Sequence, residues 1–296
     1  MKLHYRQYIL ICIFSLISLA YPPFLYAKSY AGVSFSSQKL KQGDVLLVNV
    51  TDKSGISAIS GTMFNKPVHF YKNYAGKKYT ALVGIDLDTK PDIYKLTLNV
   101  AETTGKKTST EYRFRIKPAN FGTQKLTLPP SKVTLDDDTL KQVEIEKEKT
   151  GKVWEIFTEV RLWDGNFIQP VAGDMSDNFG LRRIINGEQK SPHTGVDVDA
   201  PEGAPVQASN SGRAIFTDDQ FFSGKTLIID HGLGLFTMYF HLSEILVTDG
   251  ANVIKGDIVA SVGKTGRATG PHLHWGVRLN GARINPLALI NLLGNK

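Results

Sequence analysis

The segment Gly270-Pro271-His272-Leu273-His274-Trp275-Gly276-Val277 narrows what this chain can fold into more than any other stretch. Taken with the period of a β-strand, Leu273, Trp275, Val277 and Leu279 share one face, apolar enough to pack on a core. His272, His274, Gly276 and Arg278 share the other, so two imidazoles stand on one side beside a residue without a side chain. Such a pair is either a polar strand face or part of a metal site, and the short H-x-H spacing does not choose between them. Ser191-Pro192-His193-Thr194-Gly195-Val196-Asp197-Val198-Asp199-Ala200 repeats the pattern, with His193, Gly195, Asp197 and Asp199 opposite Thr194, Val196, Val198 and Ala200. One His and one Asp from this segment, with one His from the first, make a three-ligand set of the kind zinc takes in catalytic sites, leaving a fourth position to water.

Read in order, the site residues are His193-x-x-x-Asp197, then His241 in Met238-Tyr239-Phe240-His241-Leu242-Ser243, then His272-Leu273-His274. This arrangement resembles the lysostaphin-type (LytM-like) zinc metallopeptidases, with an H-x-x-x-D motif, a separate histidine and H-x-H. The flanks match too: Thr194-Gly195-Val196-Asp197 runs into Ala200-Pro201-Glu202-Gly203, and Gly263-Lys264-Thr265-Gly266 leads into Ala268-Thr269-Gly270-Pro271. The resemblance covers roughly residues 166 to 293. One departure is Trp275-Gly276, where many members have an aromatic followed by an acidic residue. The resemblance implies that His193, Asp197 and His274 hold one Zn²⁺ per chain and that His241 and His272 are catalytic without being ligands. Chemically the division is sound: Zn²⁺ polarises a scissile carbonyl and brings the pKa of its water to ~7. One free imidazole can then take the water's proton while another hydrogen-bonds the developing oxyanion.

The same resemblance implies a zinc endopeptidase acting on peptidoglycan peptide stems. Members divide between glycine bridges and direct cross-links ending in D-alanine; the lack of a recognisable wall-anchoring module and a periplasm-like leader favour the direct cross-link. A non-catalytic peptidoglycan-binding or hydrolase-activating envelope protein is the alternative, because some relatives have lost metal ligands; here the whole set is present. An envelope regulator protein is a candidate partner. Serine penicillin-binding chemistry needs S-x-x-K, S-D-N and K-T-G together. The chain has Ser176-Asp177-Asn178 and Lys264-Thr265-Gly266, but Ser261-Val262-Gly263-Lys264 would use Lys264 twice, and Ser36-Ser37-Gln38-Lys39 has no helical pattern around it. We read these as chance matches.

Residues 1–27 carry the pattern of a signal peptide: Lys2 and Arg6, an apolar run from Tyr8 to Ala20, and Leu25-Tyr26-Ala27 as cleavage site. The run is too short to span a bilayer, so no stable membrane anchor is expected after cleavage, and the exported chain belongs in the periplasm or cell envelope. The one cysteine, Cys12, lies in this run, leaving the mature chain without disulfides. Loss of the leader leaves 33 of the 35 Lys and Arg against 28 Asp and Glu, a net charge of +5. That mild excess suits an anionic envelope. No basic run with interleaved aromatics points to nucleic acid.

Strand-like runs at Asp44–Val50, Tyr79–Ile85, Tyr94–Val100 and Tyr112–Ile116, separated by turn signals, predict an immunoglobulin-like β-sandwich over 28–120. His69 reads there as a packed strand residue. Residues 121–165 form a connector: Leu126-Thr127-Leu128-Pro129-Pro130 is extended, and Asp136-Asp137-Asp138 opens a helix. Leu140, Val143, Val153, Ile156, Phe157 and Val160 recur at near-helical spacing, Glu144–Lys149 reads as a solvated face, and Gly151 is expected to break the helix in two. Residues 166–296 predict an antiparallel β metallopeptidase domain with strands at Arg213–Thr217, Thr226–Asp230, Leu235–His241, Ile258–Val262 and Leu273–Leu279, then a short helix Leu287–Leu293. The chain is therefore mainly β. In it, alternation puts Thr237, Tyr239 and His241 on one face and turns Phe236, Met238 and Phe240 into the core; His231 reads as structural and Asp199 as a surface carboxylate or one supporting a ligand.

Overall fold

The computed structural model describes residues 30, 32–73, 76–127, 135–189 and 191–294; the leader and Leu128-Pro129-Pro130 lie outside them. The first part of the chain holds β1 (Val33–Phe35), β2 (Lys39–Lys41), β3 (Val45–Thr51), β4 (Ile56–Met63), β5 (Lys66–Val68), β6 (Tyr71–Lys72), β7 (Lys78–Gly84), β8 (Ile93–Glu102) and β9 (Lys107–Lys117). They build two sheets, ordered β1-β3-β7-β6 and β2-β9-β8-β4-β5. Leu46, Val48, Val50 and Val83 of the first pack against Leu96, Leu98, Val100, Phe114 and Ile116 of the second, so the expected sandwich is present.

The first sheet is apolar on both faces, which explains the unbroken run Val45-Leu46-Leu47-Val48 where a half-exposed strand would alternate. Its outer residues Val45, Leu47 and Leu82 join a second core with Trp163, Phe167, Trp275 and Val277. At its edge Arg283 grips Asp86, with Nη2 to Oδ1 at 2.7 Å and Nε to Oδ2 at 3.0 Å. Although burial opposes it, that pairing holds the Asp86 carboxyl below the usual range.

Strand β10 (Thr123–Leu126) then runs parallel to a strand of the later part, and helix α1 spans Asp137–Val153. Asp136 caps the helix by accepting from Thr139 N at 2.8 Å. Gly151 does not break it: the helix continues to Val153 and ends at Trp154, because Val153 and Trp154 pack on Ile228, Phe236 and Met238. Ile156, Phe157 and Val160 follow outside any helix.

The remainder comprises β11 (Asp174–Met175), β12 (Arg182–Ile185), β13 (Glu188–Gln189), β14 (Gly195–Asp199), β15 (Pro205–Gln207), β16 (Gly212–Gln220), β17 (Gly224–Asp230), β18 (Leu235–Ile245), β19 (Asn252–Val253), β20 (Ile258–Val262), β21 (Leu273–Leu279), β22 (Ala282–Ile284) and helix α2 (Pro286–Gly294). The main sheet runs β11-β14-β21-β18-β17-β16-β19, with β15–β20 joined through β18 and β22 along β21. Its pairings are antiparallel, as the alternation predicts. Val196, Val198, Leu273, Trp275, Val277 and Tyr239 fill the core on one side, and the site lies on the other.

Candidate metal centre

Strand register builds the centre. Asp197 on β14 pairs with His274 on β21, which pairs in turn with Phe240 on β18. One row further along, Gly195, Gly276 and Met238 are neighbours. The Phe240 ring stacks on His274 at 5.2 Å and 9°, fixing the imidazole plane. Gly195 is required by close approach: a Cβ there would stand 2.7 Å from His274 Nε2 and 2.5 Å from Trp275 O. Gly276 is not an open slot, because Met238 Cε lies 2.7 Å from where its Cβ would be.

His193 precedes β14 and is held by main-chain bonds, Gly180 N to His193 O at 2.8 Å and His193 N to Leu181 O at 3.0 Å. Gly180 has φ +76°, and the Phe121 ring occupies the space a side chain would need. Three donor atoms thereby meet: His193 Nε2 to His274 Nδ1 at 2.8 Å, His274 Nδ1 to Asp197 Oδ1 at 3.0 Å, and His193 Nε2 to Asp197 Oδ1 at 3.1 Å. His193 and His274 are buried and Asp197 is half-buried.

Asn178 organises this cluster, and sequence reasoning missed it. Its carbonyl accepts from His193 Nδ1 at 3.0 Å, so the ring proton sits on Nδ1 and the Nε2 lone pair faces the other two donors. Its side-chain Nδ2 donates to Asp197 Oδ2 at 2.9 Å, and its Oδ1 accepts from Asp197 N at 3.2 Å. The signal was present in Ser176-Asp177-Asn178, where it was read only against a serine-enzyme motif.

His241 and His272 stand beside the cluster. Their ring centroids are 4.8 Å apart, His241 is 6.2 Å from His274, and His272 Nε2 is 3.8 Å from Asp197 Oδ1. His241 Nδ1 donates to Thr265 O at 2.9 Å and His272 Nδ1 to Gly270 O at 2.8 Å, which leaves both Nε2 atoms available. The alternation expected along β18 fails here. Phe236, Met238 and Phe240 face the helix α1 side and the site, while Thr237 and Tyr239 are buried on the other. Strict alternation would send His241 into the core with Tyr239. Instead His241 has φ +62° at an irregularity in the pairing with β17, between Tyr239 and Leu242, so two successive residues reach the site side.

The turn behind His241 is clamped from outside the sheet. His241 N donates to Ser223 O at 2.8 Å, and Phe221 N donates to Glu146 Oε1 and Oε2 at 3.1 and 3.0 Å. Glu146 is therefore buried, although it lies within the charge run expected to be a solvated face.

Electrostatics follow the burial. Desolvation works against it, yet the hydrogen bonds of His193 and His274 hold the Asp197 carboxyl far below the usual range. Burial pushes His274 down to about 4, partly opposed by Asp197, and pushes His241 down to about 3. His231 is structural as expected, bonded to Ser211 O and Thr237 Oγ1, and burial takes it to about 4. Asp199 is exposed at the β11 edge, and His69 packs on Phe157 at 4.4 Å. Two imidazole nitrogens and a carboxylate oxygen, with one tautomer fixed from behind, suit a zinc ion in donor type and in proximity.

Residues 191–286 match the family described as Peptidase family M23. The crystal structure of a putative peptidase M23 from Pseudomonas aeruginosa is 32% identical and covers 86% of this chain and 96% of that one, with a TM-score of 0.66. The chain belongs to peptidase family M23. Other relatives of this M23 chain include the DD-carboxypeptidase/endopeptidase Mpg of Neisseria meningitidis, 43% identical over 135 residues, 43% of this chain and 31% of that protein. The peptidoglycan DD-endopeptidase ShyA of Vibrio cholerae is 38% identical over 114 residues, 38% of this chain and 26% of that protein. The M23 chain thus spans under a third of the length of these curated relatives in the regions it matches.

Proposed function

We propose that this protein is an exported zinc endopeptidase that hydrolyses peptide cross-links of peptidoglycan, with His193, Asp197 and His274 as ligands to one Zn²⁺. The observation that carries the reading is the triangle of donor atoms at 2.8, 3.0 and 3.1 Å with two non-ligand imidazoles beside it. Similarity to proteins named as DD-endopeptidases supports the substrate and, with it, a place in the cell envelope. Among the described residues no helix is long and apolar enough to cross a membrane. Residues 1–27 would be the signal, 28–120 an accessory β-sandwich and 166–296 the peptidase; an envelope regulator is a candidate partner.

When bound, Zn²⁺ supplies a Lewis acid that polarises the peptide carbonyl and makes water a nucleophile near neutral pH. Asp197, His193 and His274 would hold the ion, and Asn178 orients Asp197 and His193. His241 and His272 divide two tasks. One Nε2 lone pair accepts the proton of the attacking water and hands it to the departing amine; the other ring, when it carries a second proton on Nε2 taken up from solvent, donates that N–H to the carbonyl oxygen as negative charge develops there. Main-chain acceptors at Thr265 and Gly270 keep both rings in orientation throughout.

The test is digestion of purified peptidoglycan by the zinc-loaded full chain, with products identified by mass. Cross-linked muropeptide dimers should become monomers while the glycan strands stay intact. Release of glycan fragments, or persistence of dimers while pentaglycine is cut, contradicts the reading.

A further inference from the structure

Two arginines beside the centre are only partly paired: Arg183 has a loose, shared carboxylate and Arg267 stacks on an aromatic ring. Arg183 on β12 brings Nη2 to 3.6 Å from Asp197 Oδ2, beyond a good hydrogen bond, and its buried Nε has no hydrogen-bond partner. Asp197 is already committed, with Oδ1 shared by His193 and His274 and Oδ2 taken by Asn178. Arg267 follows Thr265, whose carbonyl holds His241, and places its guanidinium 4.2 Å over the Phe222 ring. Its main chain is pinned by a 2.9 Å bond to Phe222 O, and among the described residues no carboxylate pairs with its side chain. The two cations sense each other: besides burial, repulsion from Arg183 pushes Arg267 down.

Charge then does not balance. The carboxylate beside Arg183, Asp197 at 3.6 Å, is bound to the ligand cluster, and Arg267 adds a second cation close enough to be repelled by Arg183, so an anion arriving there meets positive charge that is only partly compensated. A guanidinium presents a planar fork of donors that matches a carboxylate. We propose that Arg183 and Arg267 form a substrate carboxylate subsite beside the metal centre, which binds the free carboxylate carried on the amine side of the scissile bond. This rests on the cross-link endopeptidase reading above. In a direct cross-link whose amine comes from a diamino diacid, the carbon bonded to the scissile nitrogen bears its own carboxylate. That group is two bonds from the nitrogen, close enough to meet a guanidinium lying next to a ligand. Glycine bridges have no such charge, so the subsite would also select between the two kinds of cross-link.

The test compares two synthetic muropeptide dimers, identical except that this carboxylate is free in one and amidated in the other. Cleavage by the zinc-loaded full chain and binding to the full-length His241→Ala chain, followed by calorimetry, are measured for each. Arg267→Gln is the decisive variant because Arg267 contacts no ligand; metal content is measured alongside. The free acid should be favoured by about 10- to 100-fold in kcat/KM and in affinity, the range for a hydrogen-bonded charged group. Arg267→Gln should erase most of that preference with zinc still bound, the loss falling mainly on KM. Equal cleavage and equal binding of the two dimers overturn the subsite, as does a preference that Arg267→Gln leaves untouched. If neither dimer is cut but the free acid still binds tighter in an Arg267-dependent way, the cross-link reading fails and the subsite stands.

Discussion

Replacing Asn178 by alanine should weaken the proposed metal centre without removing any of its three proposed ligands. The side chain holds Asp197 at two points, through Nδ2 to Oδ2 at 2.9 Å and through Oδ1 from Asp197 N at 3.2 Å. The main-chain carbonyl that fixes the His193 tautomer at 3.0 Å remains in Asn178→Ala, so the variant isolates support of Asp197. A hydrogen bond to a charged group is worth about 1.5–3 kcal/mol. At about 1.4 kcal/mol per factor of ten, losing it corresponds to roughly 10- to 100-fold weaker metal binding. The longer main-chain bond steadies β14 and should register in stability more than in affinity. The assay is competition for zinc against a chromophoric chelator at pH 7, with circular dichroism confirming the fold. A dissociation constant within about twofold of wild type in a folded variant would refute the reasoning, because Asn178 would then not orient the carboxylate.

His241→Ala should keep its zinc, because its ring bonds Thr265 O rather than joining the donor triangle, and should lose turnover by about 10²-fold or more; arrival without metal would make His241 a ligand. Glu146→Ala leaves Phe221 N without its acceptor and should destabilise the chain by about 1–3 kcal/mol in denaturant unfolding, with Glu146→Gln recovering most of it; an unchanged midpoint in Glu146→Ala would show that the clamp is idle. His231 is buried neutral with its pKa lowered from 6.5 to about 4, so the unfolded chain binds more protons between those values and stability falls as pH drops through that window. The effect is on the order of 3 kcal/mol, and thermal melts of His231→Gln should show a flatter decline from pH 7 to pH 4 than wild type; identical slopes would contradict the assignment.

Where side-chain direction follows strand alternation, the sequence was readable. Leu273, Trp275 and Val277 go to the core and His274 to the site because β21 is regular. The same rule misplaces β18, since the positive φ at His241 shifts a side chain across the sheet, and no residue type there announces it. The double burial of β3 was legible in principle from its unbroken apolar run. Asn178 and Glu146 were not legible. Their partners lie 19 and 75 residues away in the chain, and nothing local separates the buried Glu146 from Glu144 or Glu148. Gly151 does not end the helix because the packing of Val153 and Trp154 outweighs the modest helix penalty of one glycine.

The most direct test of the central claim is diffraction from crystals of the full chain at the zinc absorption edge. One anomalous peak should lie within bonding distance of His193 Nε2, the Asp197 carboxylate and His274 Nδ1, and crystals of His274→Ala should show none. A peak bound instead by His241 or His272, or crystals without a peak grown from protein that cleaves cross-linked dimers, would contradict the account.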